Sequence, residues 1–286
     1  MTRVVYVNGR YRPYAQAFVH VEDRGFQFAD SVYEVCDVKG GAIIDRDPHL
    51  ARLARSLSEL QMPMPMTMAA LRLVLRETVR RNRVRNGLVY LQVSRGVAER
   101  DFAFPPPDTP ATIVCLARSL PPDYAAARAE RGIAVVTAPD IRWRRCDIKT
   151  VMLLPAVLAK REAALKGAKE AWLVNEAGFV TEGASSNAWI ITEDGRVVTP
   201  GLSASILPGV TRATLIEAIA REGLILEERH FTPAEAAGAR EAFITSATNT
   251  VMPVVSINGS AIGDGRPGPL TRQMRRIFHK TVAIKE

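Results

Sequence analysis

Short alternating segments joined by tight turns recur through this chain and leave it few ways to fold. The first is "VVYVNGRYRP", Val4 to Pro13, in which Asn8-Gly9 separates two such segments. Asn-Gly accepts the positive φ angles that a two-residue hairpin turn demands. "SVYEVCDVKGGAIID" repeats the pattern around Gly40-Gly41. "EAWLVNEAGFVTEG" and "SNAWIITEDGRVVTP" do so around Glu176–Gly178 and Asp194-Gly195. "LVYLQVSRG", "ATIVCLARSL", "GIAVVTAPDIRW" and "EAFITSATNTVMPVVSINGSAI" read as further strands. Strands that arrive in hairpins rather than in regular β-helix-β units predict an α+β fold over a doubly wound sheet.

Helices fall between these strands. "DPHLARLARSLSEL" places Leu50, Leu53, Leu57 and Leu60 at helical spacing, with Asp47 as the expected N-cap and Pro48 in the first turn. A second helix is expected from Thr67 to Arg83, a third in "LPAVLAKREAALKG" ending at Gly167, and a fourth in "GVTRATLIEAIAREG". Pro121-Pro122 interrupts all regular patterning. The expected organisation is a smaller N-terminal domain over 1–118, a linker over 119–123 and a larger C-terminal domain over 124–286.

Composition narrows the function classes. No run approaches the ~18 apolar residues of a membrane-spanning helix, and "MTRVVYVNGRYRPY" has no apolar signal core, so a cytoplasmic protein without a membrane partner is expected. Cys36, Cys115 and Cys146 are widely separated and form no CxxC pair, which predicts neither a disulfide framework nor a metal site. The net charge of +8 raises nucleic acid as a partner. The densest basic segment, "RETVRRNRVRNG", lacks interleaved aromatics and reads as the solvated end of a helix, so no nucleic-acid partner is expected.

Four stretches carry chemistry. Lys149 stands in "RCDIKT" before the apolar run "VMLLP"; by position alone it is a surface lysine. Glu182 closes a strand in "VTEGASSN". Gly209, Val210 and Thr211 open a helix, where free N–H groups and the helix dipole favour an anion such as phosphate. "ITSATNT" adds a hydroxyl-rich loop. An amine, a carboxylate and a phosphate cradle are together what pyridoxal phosphate requires.

The order and spacing of "EDRGFQFADSVYEV", "DIRWRRCDIKTVMLL", "VTEGASSN" and "ILPGVTR" resemble the fold-type IV pyridoxal-phosphate enzymes over nearly the whole chain, most closely the D-amino acid aminotransferases. The resemblance implies a two-domain architecture with the active site at the domain interface. Lys149 would end a strand of the larger domain, form the Schiff base and shuttle the proton. Glu182 would pair with the pyridine nitrogen. Arg52, Val210, Thr211, Ser246 and Ala247 would serve the phosphate, with Ala247 lacking a hydroxyl that the family often has. Ser185 and Leu207 would lie against the ring. Trp189 stands where phenylalanine or tyrosine is more usual.

For the substrate, Tyr33 and Arg100 match positions that grip the α-carboxylate. Phe102 replaces a histidine of that trap and cannot donate a hydrogen bond. The bland reading of Phe102 and Phe104 is that they pack a loop against the core. The activity implied is transamination of D-amino acids such as D-alanine and D-glutamate with 2-oxoglutarate or pyruvate, in a homodimer. An (R)-amine or branched-chain L-amino acid transaminase of the same fold is the alternative, an aminodeoxychorismate lyase follows, and a basic nucleic-acid-binding protein is the reading from another class.

Overall fold

The computed structural model describes residues 3–121 and 124–285. The chain divides into two compact units, one of Met1–Pro122 with Ile148–Met152, the other of Asp123–Asp147 with Leu153–Glu286. Of the expected linker, Pro122 and Asp123 lie outside the described residues, and Ser119 still belongs to a strand.

The first unit contains β1 (Val4–Val7), β2 (Arg10–Pro13), α1 (Arg24–Phe28), β3 (Ser31–Lys39), β4 (Ala42–Ile43), α2 (Arg46–Glu59), α3 (Met68–Arg81), β5 (Gly87–Ser94) and β6 (Thr112–Ser119). The strands form one antiparallel sheet in the order β2-β1-β6-β5-β3-β4. Asn8 and Gly9 take φ of 44° and 85°, as their hairpin requires. Along β3, Val32, Glu34, Cys36 and Val38 are buried, while Tyr33, Val35 and Asp37 are half-buried, so the pleat assigns Tyr33 and Glu34 to opposite faces.

Leu50, Leu53 and Leu57 of α2 and Leu71 and Leu75 of α3 supply the core of this unit. The N-cap of α2 is Asp45 rather than Asp47, whose carboxylate pairs with Arg46 and Arg72. In the basic stretch at the end of α3, Arg80 and Arg81 pair with Glu77 of their own helix, as a solvated helix end does.

The second unit contains α4 (Ala126–Ala129), β7 (Ile133–Pro139), α5 (Leu154–Leu165), β8 (Glu170–Val174), β9 (Val180–Gly183), β10 (Asn187–Ile191), β11 (Val197–Thr199), α6 (Val210–Arg221), β12 (Leu226–Glu228), α7 (Pro233–Ala237), β13 (Glu241–Ser246), β14 (Thr250–Ile257), β15 (Ser260–Ala261) and α8 (Pro269–Lys285). Its sheet runs β12-β11-β10-β13-β14-β7-β8-β9, with β15 on β14. It is mixed rather than purely hairpin-built. β7 and β8 are parallel and joined through α5, and β11 and β12 are parallel through α6. Ala159 and Ala163 of α5 and Ala168 and Ala171 beyond it let the helix settle on Val136 and Leu173. Trp172, Phe231, Ile190, Ile244 and Met252 belong to the larger core cluster. Glu241 accepts from the backbone N–H groups of Leu270 and Thr271 and so caps α8. Among the described residues no helix is long and apolar enough to cross a membrane.

Candidate active site

Lys149 is not the end of a strand. It lies in the short segment Ile148–Met152, which clusters with the first unit through backbone contacts to β3. Its carbonyl accepts from Tyr33 N–H at 3.0 Å, Val151 N–H donates to Ser31 at 3.1 Å, and Thr150 bridges Val32. Its own N–H meets Ser56 Oγ at 3.3 Å. Ile148 and Thr150 are buried, which turns the intervening lysine to the opposite side.

Lys149 Nζ stands 4.3 Å from the centroid of the Tyr33 ring, a cation–π distance. Tyr33 in turn stacks on Tyr90 at 5.7 Å, and Tyr90 Oη donates to Gln92 Oε1 at 2.6 Å. Burial, aided by Tyr33, pushes the Tyr90 hydroxyl up to about 12, so it remains a donor at neutral pH.

On α2, Arg52 and Arg55 part company. Arg55 faces outward and pairs with Glu59, whereas Arg52 has a side chain only 9 % exposed and is fixed on Glu34 by Nε and Nη2 at 2.8 and 2.7 Å. Arg52 and Ser56 are one turn apart, so the helix that orients the guanidinium also receives the Lys149 N–H.

Arg100 and Phe102 gather elsewhere in the same unit. Phe28 is the common point: Arg24 and Arg100 lie 4.7 and 5.3 Å from its ring centroid, and Phe102 meets it at 5.7 Å. Arg24 Nη1 anchors the loop by donating to the Asp101 carbonyl. Among the described residues no ring contact or hydrogen bond joins Arg100 to Tyr33. Phe102 and Phe104 do not pack the loop into the core, being 83 % and 60 % exposed.

In the second unit Glu182 is buried at the end of β9 and held by Arg142 Nη1 at 2.5 Å, Asn187 Nδ2 at 3.0 Å and Leu207 N–H at 3.2 Å. Arg142 also grips Asp140 through Nε and Nη2, and Thr181 Oγ1 donates to the same carboxylate. Burial alone would lower the Arg142 pKa, but Asp140 and Glu182 hold it above its ordinary value. Burial likewise works against the Asp140 carboxylate, yet its hydrogen bonds and the Arg142 charge keep its pKa below the ordinary range.

Leu207 is half-buried and contributes its backbone, with its carbonyl accepting from Asn187 Nδ2. Gly209 caps α6 with no side-chain bond, and Val210 and Thr211 form the first turn. Gly209 is required by space rather than by dihedral angle. Its φ is −64°, but a Cβ there would lie 2.1 Å from Asn187 Oδ1.

Ser185 is exposed and gives its hydroxyl to Glu170 Oε2 at 2.7 Å, where Ser186 also donates. Ser246 Oγ accepts from Asn249, and Ala247 lies in the turn between. Trp189 is a core residue, stacked on Phe243 with its Nε1–H donating to Thr245.

Sequence reasoning missed Arg142, Asn187, Glu34, His49 and Glu170. Glu34 and Asn187 lie inside "SVYEV" and "TEGASSN", so those motifs were the available signal; nothing local distinguishes Arg142 from Arg144 and Arg145.

In the first unit Lys149 is pinned by its backbone; in the second Glu182 lies buried under Arg142, and α6 begins without a side-chain cap. Residues 31–257 match the family model described as Amino-transferase class IV. The chain belongs to that family. It is 38 % identical to the D-alanine aminotransferase of Bacillus licheniformis over 278 residues, covering 97 % of this chain and 96 % of the relative. It is 38 % identical to the D-alanine aminotransferase of Staphylococcus haemolyticus, over 99 % and 98 % of the two chains. Among solved structures it resembles a T.th. branched-chain amino acid aminotransferase with pyridoxamine 5'-phosphate (TM-score 0.89, 25 % identity, 99 % and 95 % covered). It also shares the fold of the branched-chain enzyme of Escherichia coli (TM-score 0.88, 23 % identity, 99 % and 95 % covered).

Proposed function

We propose that this chain is a pyridoxal-phosphate-dependent aminotransferase acting on D-amino acids, with a 2-oxo acid such as pyruvate or 2-oxoglutarate as acceptor. The observation that carries the substrate class is the 38 % identity to D-alanine aminotransferases over nearly the full length of both chains.

The residues present fit the cofactor. Lys149 is an amine with a fixed backbone, Glu182 is a carboxylate whose donors prevent it from turning away, and α6 begins without a side-chain cap. When bound, pyridoxal phosphate supplies an aldehyde carbon that condenses with amines and a protonated ring that takes up an electron pair.

Lys149 Nζ would hold the cofactor, and as a free amine it would take the proton from the substrate Cα. The Tyr33 ring lies against Lys149 Nζ and confines where the amine can reach. Glu182 keeps the ring nitrogen protonated, and Arg142 and Asn187 aim it. Arg52, the first N–H groups of α6 at Val210 and Thr211, and the Ser246–Ala247 turn serve the phosphate. Leu207 and Ser185 serve the ring, with Glu170 fixing the Ser185 hydroxyl.

Tyr33 and Arg100 receive the α-carboxylate, a task suited to the guanidinium fork. Phe102 adds no donor to that trap, which favours (R)-amines as a second substrate class. The exposed apolar row Leu154, Val157, Leu158 and Leu165 on α5 supports a homodimer. Three free, buried cysteines suit the cytoplasm.

Spectra of the purified enzyme test the reading. The cofactor absorbance shifts on adding D-alanine and not L-alanine, and Lys149→Ala abolishes turnover without unfolding the chain. Faster reaction with L-alanine or a branched-chain L-amino acid would overturn the substrate class, and a Lys149→Ala enzyme of near wild-type rate would overturn the lysine.

A further inference from the structure

We propose that Glu34 is a positioning residue: from the buried face of the first sheet it sets the plane of the Arg52 guanidinium for the cofactor's phosphate, with His49 holding Glu34 in turn. This rests on the reading of Arg52 as a phosphate ligand.

Glu34 is the one acidic residue among the buried positions of β3, its companions on that face being Val32, Cys36 and Val38. α2 answers it with two residues three apart. His49 Nδ1 lies 2.7 Å from Oε2, and Arg52 donates through Nε to Oε1 at 2.8 Å and through Nη2 to Oε2 at 2.7 Å. Burial opposes the charge, but Arg52 and His49 hold the carboxyl at about 2, so Glu34 is ionised and can only accept. His49 Nδ1 therefore carries the hydrogen it shares with Glu34.

Two parallel bonds from one carboxylate fix the plane of a guanidinium, which a single bond leaves free to rotate. A buried ion pair contributes little stability beyond what apolar residues of the same volume provide, so stability alone does not account for a Glu-His-Arg set in this core. Orientation does. The same helix receives the Lys149 N–H on Ser56 one turn later, so Glu34 locks Arg52 to the element that also locates the lysine.

The test is binding, read without turnover. The full chain, stripped of cofactor, is titrated with pyridoxal 5'-phosphate and separately with pyridoxal, which has no phosphate. Glu34→Gln keeps the shape but loses one acceptor. It is expected to weaken pyridoxal 5'-phosphate by about ten- to a hundredfold and to leave pyridoxal within about twofold of wild type. Equal loss for both ligands means a merely structural role and overturns the proposal.

Arg52→Ala separates the two readings. If it leaves pyridoxal 5'-phosphate affinity unchanged, Arg52 is not a phosphate ligand and both readings fall. If it loses affinity while Glu34→Gln matches wild type, only the role of Glu34 falls. Should Glu34→Gln not fold, Glu34→Asp carries the same test, because the withdrawn carboxylate keeps its charge but cannot span both donors. Phosphate-selective loss in Glu34→Asp supports the proposal, and affinity equal to wild type, or equal loss for both ligands, overturns it.

Discussion

Replacing Arg142 by alanine should destabilise the second unit by an amount its surroundings define. The guanidinium is 12 % exposed and holds two carboxylates, Asp140 at 9 % and Glu182 at 6 %. Removing one partner of a buried ion pair costs about 3–5 kcal/mol, because the remaining charge is left in low dielectric. Asp140 keeps the Thr181 hydroxyl, and Glu182 keeps Asn187 and the Leu207 N–H, so the lower end applies, about 3 kcal/mol. At about 2–4 °C per kcal/mol for a unit of this size, the melting midpoint falls by about 6–12 °C.

The pH dependence has a definite sign. The wild-type Asp140 pKa is depressed, so its contribution is full above the ordinary aspartate value of about 4 and is lost as pH falls through the lower folded value. Arg142→Ala removes the cause of the depression, so the gap between the two proteins is widest at neutral pH and closes in acid. Calorimetric melts of both proteins at a series of pH values measure it. A midpoint within about 2 °C of wild type at pH 7, less than about 1 kcal/mol, or a gap that widens in acid, would refute the reasoning.

Gly209→Ala drives a methyl into Asn187 and should loosen the carboxylate that Asn187 holds, costing about 1–3 kcal/mol of stability by overpacking; an unchanged melt would mean that Asn187 moves freely. Glu182→Ala should reduce turnover far more than it reduces bound cofactor, as read by rate and by absorbance on the same sample; equal turnover in the two proteins sinks this role. Arg100→Ala should remove about 2–4 kcal/mol of transition-state binding for D-alanine and D-glutamate and much less for (R)-1-phenylethylamine, while Phe102→His tightens the amino acids relative to the amine. Kinetics with the three substrates decide it, and an equal effect of Arg100→Ala on all of them would make Arg100 structural.

What could be read from the sequence was what local chemistry decides. Asn8-Gly9, Gly40-Gly41 and Asp194-Gly195 turn the chain wherever they are placed, so the hairpins were legible. Glu182 alone reads as a turn carboxylate and stood out only because "VTEGASSN" resembles a motif of the fold-type IV enzymes. Its holder did not, because Arg142, Arg144 and Arg145 are equivalent neighbours until the fold brings Asp140 and Glu182 to one of them. Arg52 and Arg55 pose the same problem: the resemblance pointed to Arg52, and in the structure Glu34 on β3 takes Arg52 while Arg55 pairs with Glu59. The five residues of α1 are too few to show a period, and the parallel pairing of β7 with β8 depends on a crossover that local turn signals do not encode. α8 could have been found from Leu270, Met274, Ile277 and Phe278, a spacing that resembles the other helices.

The bridge between Thr150 and Val32 has a consequence for how the chain matures. The sheet of the first unit is complete through β6 at Ser119, yet the edge of β3 beside Ser31 and Tyr33 gains its partner only with Lys149 and Val151. During synthesis at about 5–20 residues per second, the 33 residues from 119 to 152 leave that edge unpaired for roughly 2–7 s. An open strand edge is a template for pairing with other chains. A fragment ending at residue 121 should therefore be prone to association, and a synthetic peptide spanning Ile148–Met152 has a natural docking place on it. Lys149 would then arrive on the piece of backbone that pairs with that edge.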